Sequence, residues 1–227
     1  MTRPALVLAV GAVAVALGTT GCASEARGGT EQGAPRPDSA ELARLWAAGV
    51  GFPEFVEDAR RRRATWRANR ERAELPGGLL GRVDAAGGPW KLLAVAEDWC
   101  GDSAHNVPYL AELAGRASNV ELRIVGSREG AAVTAAHRTP DGRSATPTVV
   151  LLDDGFRDRG CLVERPPALQ EWVLSARDSF PRAELHEKVI AWYEEDRGRA
   201  TLAEMVSVIE AAARGHRRCP GDDAEGQ

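Results

Sequence analysis

Cysteine is scarce in this chain: four in 227 residues, at 22, 100, 161 and 219. They are too few and too far apart for a disulfide scaffold or a zinc site, and no two form a CxxC pair. Lysine is scarcer, at 91 and 188 only, with arginine in its place. A formal net charge of −4 provides no global basic field, so no nucleic-acid partner is expected. The apolar run Ala5–Gly18 falls short of the about 20 residues a membrane-spanning helix needs. Internal repeats, a Ser-His-Asp arrangement and a Gly-rich phosphate loop are missing, and Gly87-Gly88 lacks the strand–turn–helix context of a dinucleotide loop. The four histidines share no metal-ligand spacing, so neither metal nor cofactor is expected. At 44% apolar and 27% charged, with 24 Gly and 13 Pro, the composition excludes collagen-like, coiled-coil and wholly disordered chains. One ordinary domain with extensions remains.

Arg3 followed by Ala5–Gly18 suits the apolar region of a secretory signal peptide. Thr19-Thr20-Gly21-Cys22 then resembles a bacterial lipoprotein signal, with Thr19 where leucine is commoner. The resemblance implies cleavage after residue 21, acylation of Cys22, and attachment to an extracytoplasmic membrane face by lipid alone. Plain secretion is the alternative. Residues 22–37 read as a flexible tether, since small polar residues, Gly and Pro cannot bury enough surface to order themselves.

Residues 38–89 read as a helical extension and loop. Asp38 and Ser39 supply N-cap chemistry for a helix to Ala48. A second helix is predicted over 53–74, with Phe55, Val56, Ala59 and Trp66 near one face and Arg60, Arg61, Arg62, Arg63, Arg67, Arg70 and Arg72 as a solvated one. Leu75–Pro89 reads as a Gly-rich loop. A core over 90–180 alternates strand and helix: strands at 91–96, 120–125 and 148–152, a hairpin strand at 157–164, and helices at 103–116, 128–137 and 166–177. The order β-α-β-α-β-β-α predicts an α/β fold with a mixed sheet and helices on both faces. Helices broken near Gly198 fill 181–216, and 217–227 reads as a disordered tail.

Trp99-Cys100-Gly101-Asp102-Ser103 stands where the first core strand ends and a helix begins. Free N–H groups and partial positive charge at that point favour a thiolate, which is the nucleophilic form of cysteine. The segment Glu97-Asp98-Trp99-Cys100-Gly101-Asp102 resembles the Glu-Asp-Trp-Cys-Gly-Asp-Cys active site of bacterial thioredoxin-like proteins. Asn106-Val107-Pro108, Thr146-Pro147 before a strand and Glu164-Arg165-Pro166 after the hairpin extend the likeness over about residues 40–213. The resemblance implies a thioredoxin-like fold, a cis-proline at Pro147 facing Cys100, and a Thr146 backbone that pairs with an extended substrate. Trp99, Gly101 and Asp102 would flank the substrate.

The chain departs from that pattern at Ser103, which stands where the family has its second cysteine and cannot resolve a mixed disulfide. Its hydroxyl is expected to donate to the Cys100 sulfur. Ala94 replaces the buried acid of thioredoxins proper, leaving Glu97 and Asp98 as nearer carboxylates. His105 reads as a surface helix residue or as an imidazolium beside Cys100, and Cys161 as core filling. Cys219, on the tail, is open to pairing with Cys100 or Cys161. Two functional readings follow: exchange through the single thiol of Cys100 with protein or low-molecular-weight thiols and disulfides, or a redox-inactive module binding extended peptides at the Pro147 groove. Cys100→Ala separates them. Oligomeric state is not legible here.

Overall fold

The computed structural model describes residues 34–220; the expected signal peptide, Cys22 and most of the expected tether lie outside the described residues. At the centre, β1 (Trp90–Val95) turns Leu92 and Ala94 to one face and Leu93 and Val95 to the other, all fully buried. A strand covered on both faces is apolar on both, which is why this segment reads as a continuous run rather than an alternation. Each such leucine or valine contributes roughly 1.5–3 kcal/mol by burial. β1 pairs in parallel with β2 (Val120–Val125) and antiparallel with β3 (Thr148–Leu152), which pairs antiparallel with β4 (Asp158–Val163). The sheet order is β2-β1-β3-β4.

Helices cover both faces, as the element order predicts. On one side lie α3 (Arg63–Glu71), α4 (Leu79–Ala85), α5 (Gly101–Arg116) and α9 (Arg199–Ala213), contributing Trp66, Val83, Leu110 and Met205 to the larger core. On the other lie α1 (Ser39–Ala48) and α6 (Ala131–Ala136), with Leu42, Trp46 and Val133. A third apolar cluster joins α7 (Pro167–Ala176) to α8 (Arg182–Asp196) through Leu169, Val173, Val189 and Tyr193. No helix among the described residues is long and apolar enough to cross a membrane.

Three expectations are corrected. The single helix over 53–74 is two, α2 (Phe52–Asp58) and α3, because the Asp98 carboxylate accepts the N–H groups of Arg60 and Arg61 at 2.6 and 2.9 Å. Those residues are thereby drawn out of the helical ladder, and Arg62 adopts φ 52° as α3 begins. The loop over 75–89 contains α4, whose Leu79 and Val83, one turn apart, are buried in the larger core. The start of the expected disordered tail is ordered: Arg218 bridges to Gly160, and Cys219 forms a disulfide with Cys161, with Cα atoms 4.7 Å apart. Cys161 is therefore bonded as well as buried, and neither cysteine is a free thiol.

Candidate functional site

β1 ends at Val95, and five residues on Cys100 is the N-cap residue of the 16-residue α5. The Cys100 sulfur accepts the backbone N–H of Ser103 at 3.4 Å, so a first-turn donor that the helix cannot use internally finds a partner. The same thiol donates to the carbonyl of Thr146 at 3.1 Å. The Thr146–Pro147 peptide is cis, as is Gly88–Pro89. Cys100 is the free cysteine among the described residues and is largely buried, while Trp99 beside it is 55% exposed.

Ser103 does not act as expected. Its hydroxyl is fully buried and has no hydrogen-bond partner, and its backbone N–H, not its side chain, meets the sulfur. The two carboxylates left nearer by the change at Ala94 are likewise engaged elsewhere. Glu97 accepts the N–H and hydroxyl of Ser127 at 2.8 and 2.5 Å, and Asp98 holds the Arg60-Arg61 turn.

That turn braces the Cys100 loop from outside. Arg62 Nε donates to the Trp99 carbonyl at 2.9 Å, and the fully buried Trp66 donates its Nε1 hydrogen to the Asp98 carbonyl at 3.2 Å. Phe55 packs against Trp66 with ring centroids 4.9 Å apart. The helical extension thus fixes the backbone of the two residues preceding Cys100.

Asp102 turns inward. Arg165 holds its carboxylate with two N–H groups, at 2.9 and 3.0 Å, and Tyr193 donates its hydroxyl at 2.8 Å. Burial keeps the Asp102 carboxyl above the ordinary value, against the downward pull of Arg165 and Tyr193. Arg165 is itself raised, with burial opposed by Asp102 and Glu164. Glu164 continues the network to Arg143 at 2.9 Å. Asn106 donates to the carbonyls of Asp102 and Glu164, at 2.7 and 3.2 Å, and so locks the first turn of α5 to the end of β4.

His105 is neither a surface residue nor an imidazolium. It is buried, stacks on Tyr193 with centroids 5.0 Å apart, and faces the Asn69 amide at 3.3 Å. Burial holds its pKa down at about 4, so it is neutral at pH 7 and lends no charge to Cys100. His137 lies beside the disulfide, one ring nitrogen and the two sulfurs within 4.8 Å of one another. Joined to each other, those sulfurs offer no thiolate to a metal.

The structure therefore brings together Trp99, Cys100, Gly101, Asp102, Ser103, Thr146 and Pro147. It adds Arg62, Trp66, Arg165 and Tyr193, to none of which the sequence reading gave a role at the site. Arg165 has a local signal, the position after the hairpin; Tyr193, 91 residues from Asp102, has none.

A mixed sheet between helical layers, with a helix-capping cysteine facing a cis-proline, defines a thioredoxin-like, thiol-oxidoreductase-like fold. Residues 49–184 match the thioredoxin family, and the chain belongs to that family. A solved protein of unknown function from Pseudomonas aeruginosa is similar at 24% identity and TM-score 0.61, over 75% of this chain and 97% of that one. An HIV epitope-scaffold is similar at 23% identity and TM-score 0.59, over 74% of this chain and 97% of its own. At such identities the likeness is one of fold. No curated protein matches the chain.

Proposed function

We propose that this thioredoxin-family protein performs thiol–disulfide exchange through Cys100 as a single nucleophile. One observation carries the reading: the Cys100 sulfur caps α5, takes the Ser103 N–H at 3.4 Å, and lies 3.1 Å from the Thr146 carbonyl at the cis-proline. The resemblance of residues 97–102 to a Glu-Asp-Trp-Cys-Gly-Asp active site supports it. With Ser103 in place of a second thiol, the cycle stops at a mixed disulfide until an external thiol releases it. Protein or low-molecular-weight thiols and disulfides are the partners. Acylation at Cys22 would hold the protein at an extracytoplasmic membrane face, a part of the proposal that mass measurement of the mature N-terminus checks.

The test is capture. Incubated with a small disulfide, the protein with Cys22→Ser should gain one adduct at Cys100, lose it on addition of excess thiol, and gain none when Cys100→Ser is added. A Cys100 that stays unmodified until the protein unfolds would sink the proposal. It would favour a peptide-binding module, the reading suggested by the burial of Cys100 and the unpartnered Ser103 hydroxyl.

A further inference from the structure

A cleft of about 230 Å³ opens beside Gly101 and Asp102, at the start of the helix that Cys100 caps. Its walls combine apolar side chains, Val173 from α7 and Leu185 and Val189 from α8, with the mutually paired Asp102 and Arg165. The first two turns of α8 add Arg182 and His186 to its lining, and Arg182 brings a positive charge there. A Cβ on Gly101 would lie 3.8 Å from His186 Cε1 and 3.9 Å from Arg62 Cζ, so Arg62 reaches the same spot from the start of α3.

The charges at this place do not cancel. Arg62 spends its Nε on the Trp99 carbonyl, and none of Arg62, Arg182 and His186 makes an ion pair with a carboxylate among the described residues. The neighbouring acids are already matched. Asp102 is held by Arg165, Glu164 by Arg143 and Arg165, and Asp98 by the N–H groups of Arg60 and Arg61. Glu184 and Glu187 lie on the other side of α8, some 100° or more around the helix from Arg182 and His186, and Glu184 pairs with Lys188. The positive end of α5 adds to the excess. In a protein of net charge −4, unmatched guanidinium groups around one small cleft run against the mean field and mark a place for an anion.

We infer that the exchange partner of Cys100 is a small anionic thiol or its disulfide, with a carboxylate held by Arg62 and Arg182 and a short apolar skeleton in the cleft. The volume suits a group the size of about seven or eight waters rather than a folded partner. The inference rests on the exchange reading of Cys100. In the step, the Cys100 thiolate attacks one sulfur of R–S–S–R. The Cys100–S–S–R bond forms, the substrate S–S bond breaks, and R–S⁻ leaves with the electron pair. A second thiolate of the same class then attacks the mixed disulfide, restoring the Cys100 thiolate and releasing a disulfide.

The experiment uses the full chain with Cys22→Ser, which leaves Cys100 as the reactive thiol. Its rates with an anionic aromatic disulfide (dithiobis-nitrobenzoate) and a neutral one (dithiodipyridine) are each divided by those of a free small thiol. The normalised anionic-to-neutral ratio should be about tenfold at low salt and should collapse toward unity near 0.5 M salt, where screening is nearly complete. Arg182→Gln, whose side chain supports no other residue, should lower it about threefold, and Arg62→Gln with Arg182→Gln further. A ratio near unity, or one unmoved by Arg182→Gln, overturns the anion cleft while the neutral reagent still reports a competent Cys100. Inertness to both reagents overturns the exchange reading and this inference with it.

Discussion

Arg165, the second residue after β4, holds Asp102, the third residue of the Cys100 segment, in a two-pronged ion pair across 63 positions of sequence. The pair connects the nucleophile's helix to the sheet and to α8, since Tyr193 donates to the same carboxylate. Asp102→Asn preserves the shape but strips Arg165 of its main counter-charge. Removing one partner of a buried pair costs about 3–5 kcal/mol. Glu164, 3.0 Å from Arg165, retains part of the compensation, so about 2–4 kcal/mol is expected in urea denaturation. Asp102→Leu with Arg165→Met should recover much of it, because the one charge then left buried, Glu164, keeps its partner Arg143. A loss below about 0.5 kcal/mol in Asp102→Asn would show that solvent reaches the pair.

His105 supplies a pH dependence with a definite sign. Its folded pKa is about 4, lowered first by burial, against an ordinary 6.5. Between those values the unfolded chain binds a proton that the folded one does not, so stability falls as pH drops from about 6.5 to about 4. The contribution lost is about 3–4 kcal/mol at most. His105→Phe keeps the stacking on Tyr193 and removes the titration. Melting the two proteins from pH 7 to 4 should show the wild type losing more, with the difference arising above pH 4. Parallel curves would mean that the imidazole is hydrated.

Local and long-range features differed in how far they could be read. The run at β1, the cysteine at a strand–helix boundary and Thr146-Pro147 before β3 are local signals, and the fold and the setting of Cys100 follow from them. What escaped depends on distant partners. Nothing between 53 and 74 shows that the helix breaks at Arg60, because the group that breaks it is the Asp98 carboxylate, 38 residues on. Ser103 is visible as a lost thiol, but the role of its N–H rather than its hydroxyl comes from the helical geometry of α5. His105 looks exposed until α3 and α8 are known to cover it.

The Cys161–Cys219 bond was one of two pairings open to Cys219 in the sequence, and its effect is measurable. It closes a separation of 58 residues and holds Arg218 against Gly160 at the end of the described chain. Closing a loop of that size is worth about 2–4 kcal/mol, chiefly by restricting the unfolded state. Cys219→Ser should lower the stability by that amount without changing the rate of Cys100 adduct formation. A matching fall in that rate would show that the clamp reaches the nucleophile.

Ser103→Cys asks whether the remaining site is competent for dithiol chemistry. Position 103 is fully buried in the first turn of α5, and its backbone already meets the Cys100 sulfur. The variant should form an internal disulfide between Cys100 and the introduced thiol, and should reduce an insulin-type substrate with a dithiol as electron source. An internal disulfide without turnover would place the defect at Ala94, where no carboxylate is available for proton transfer.

Gly198 separates α8 from α9 and has two independent reasons to be glycine. Its φ is +75°, and a Cβ there would fall inside the volume of the Tyr109 ring. Tyr109 is buried and receives a hydrogen bond from Arg72 at 3.3 Å, so the ring cannot move aside without losing that contact. Gly142 isolates the first reason: its φ is +81°, and nothing stands within 4 Å of its would-be Cβ. Gly142→Ala should therefore cost about 1 kcal/mol, the backbone strain alone. Gly198→Ala adds about 1–3 kcal/mol of overpacking, for a total near 2–4 kcal/mol. Thermal denaturation of the two variants side by side measures the difference. Equal losses would mean that α8 and α9 shift together to relieve the clash, making their junction a hinge rather than a wedge.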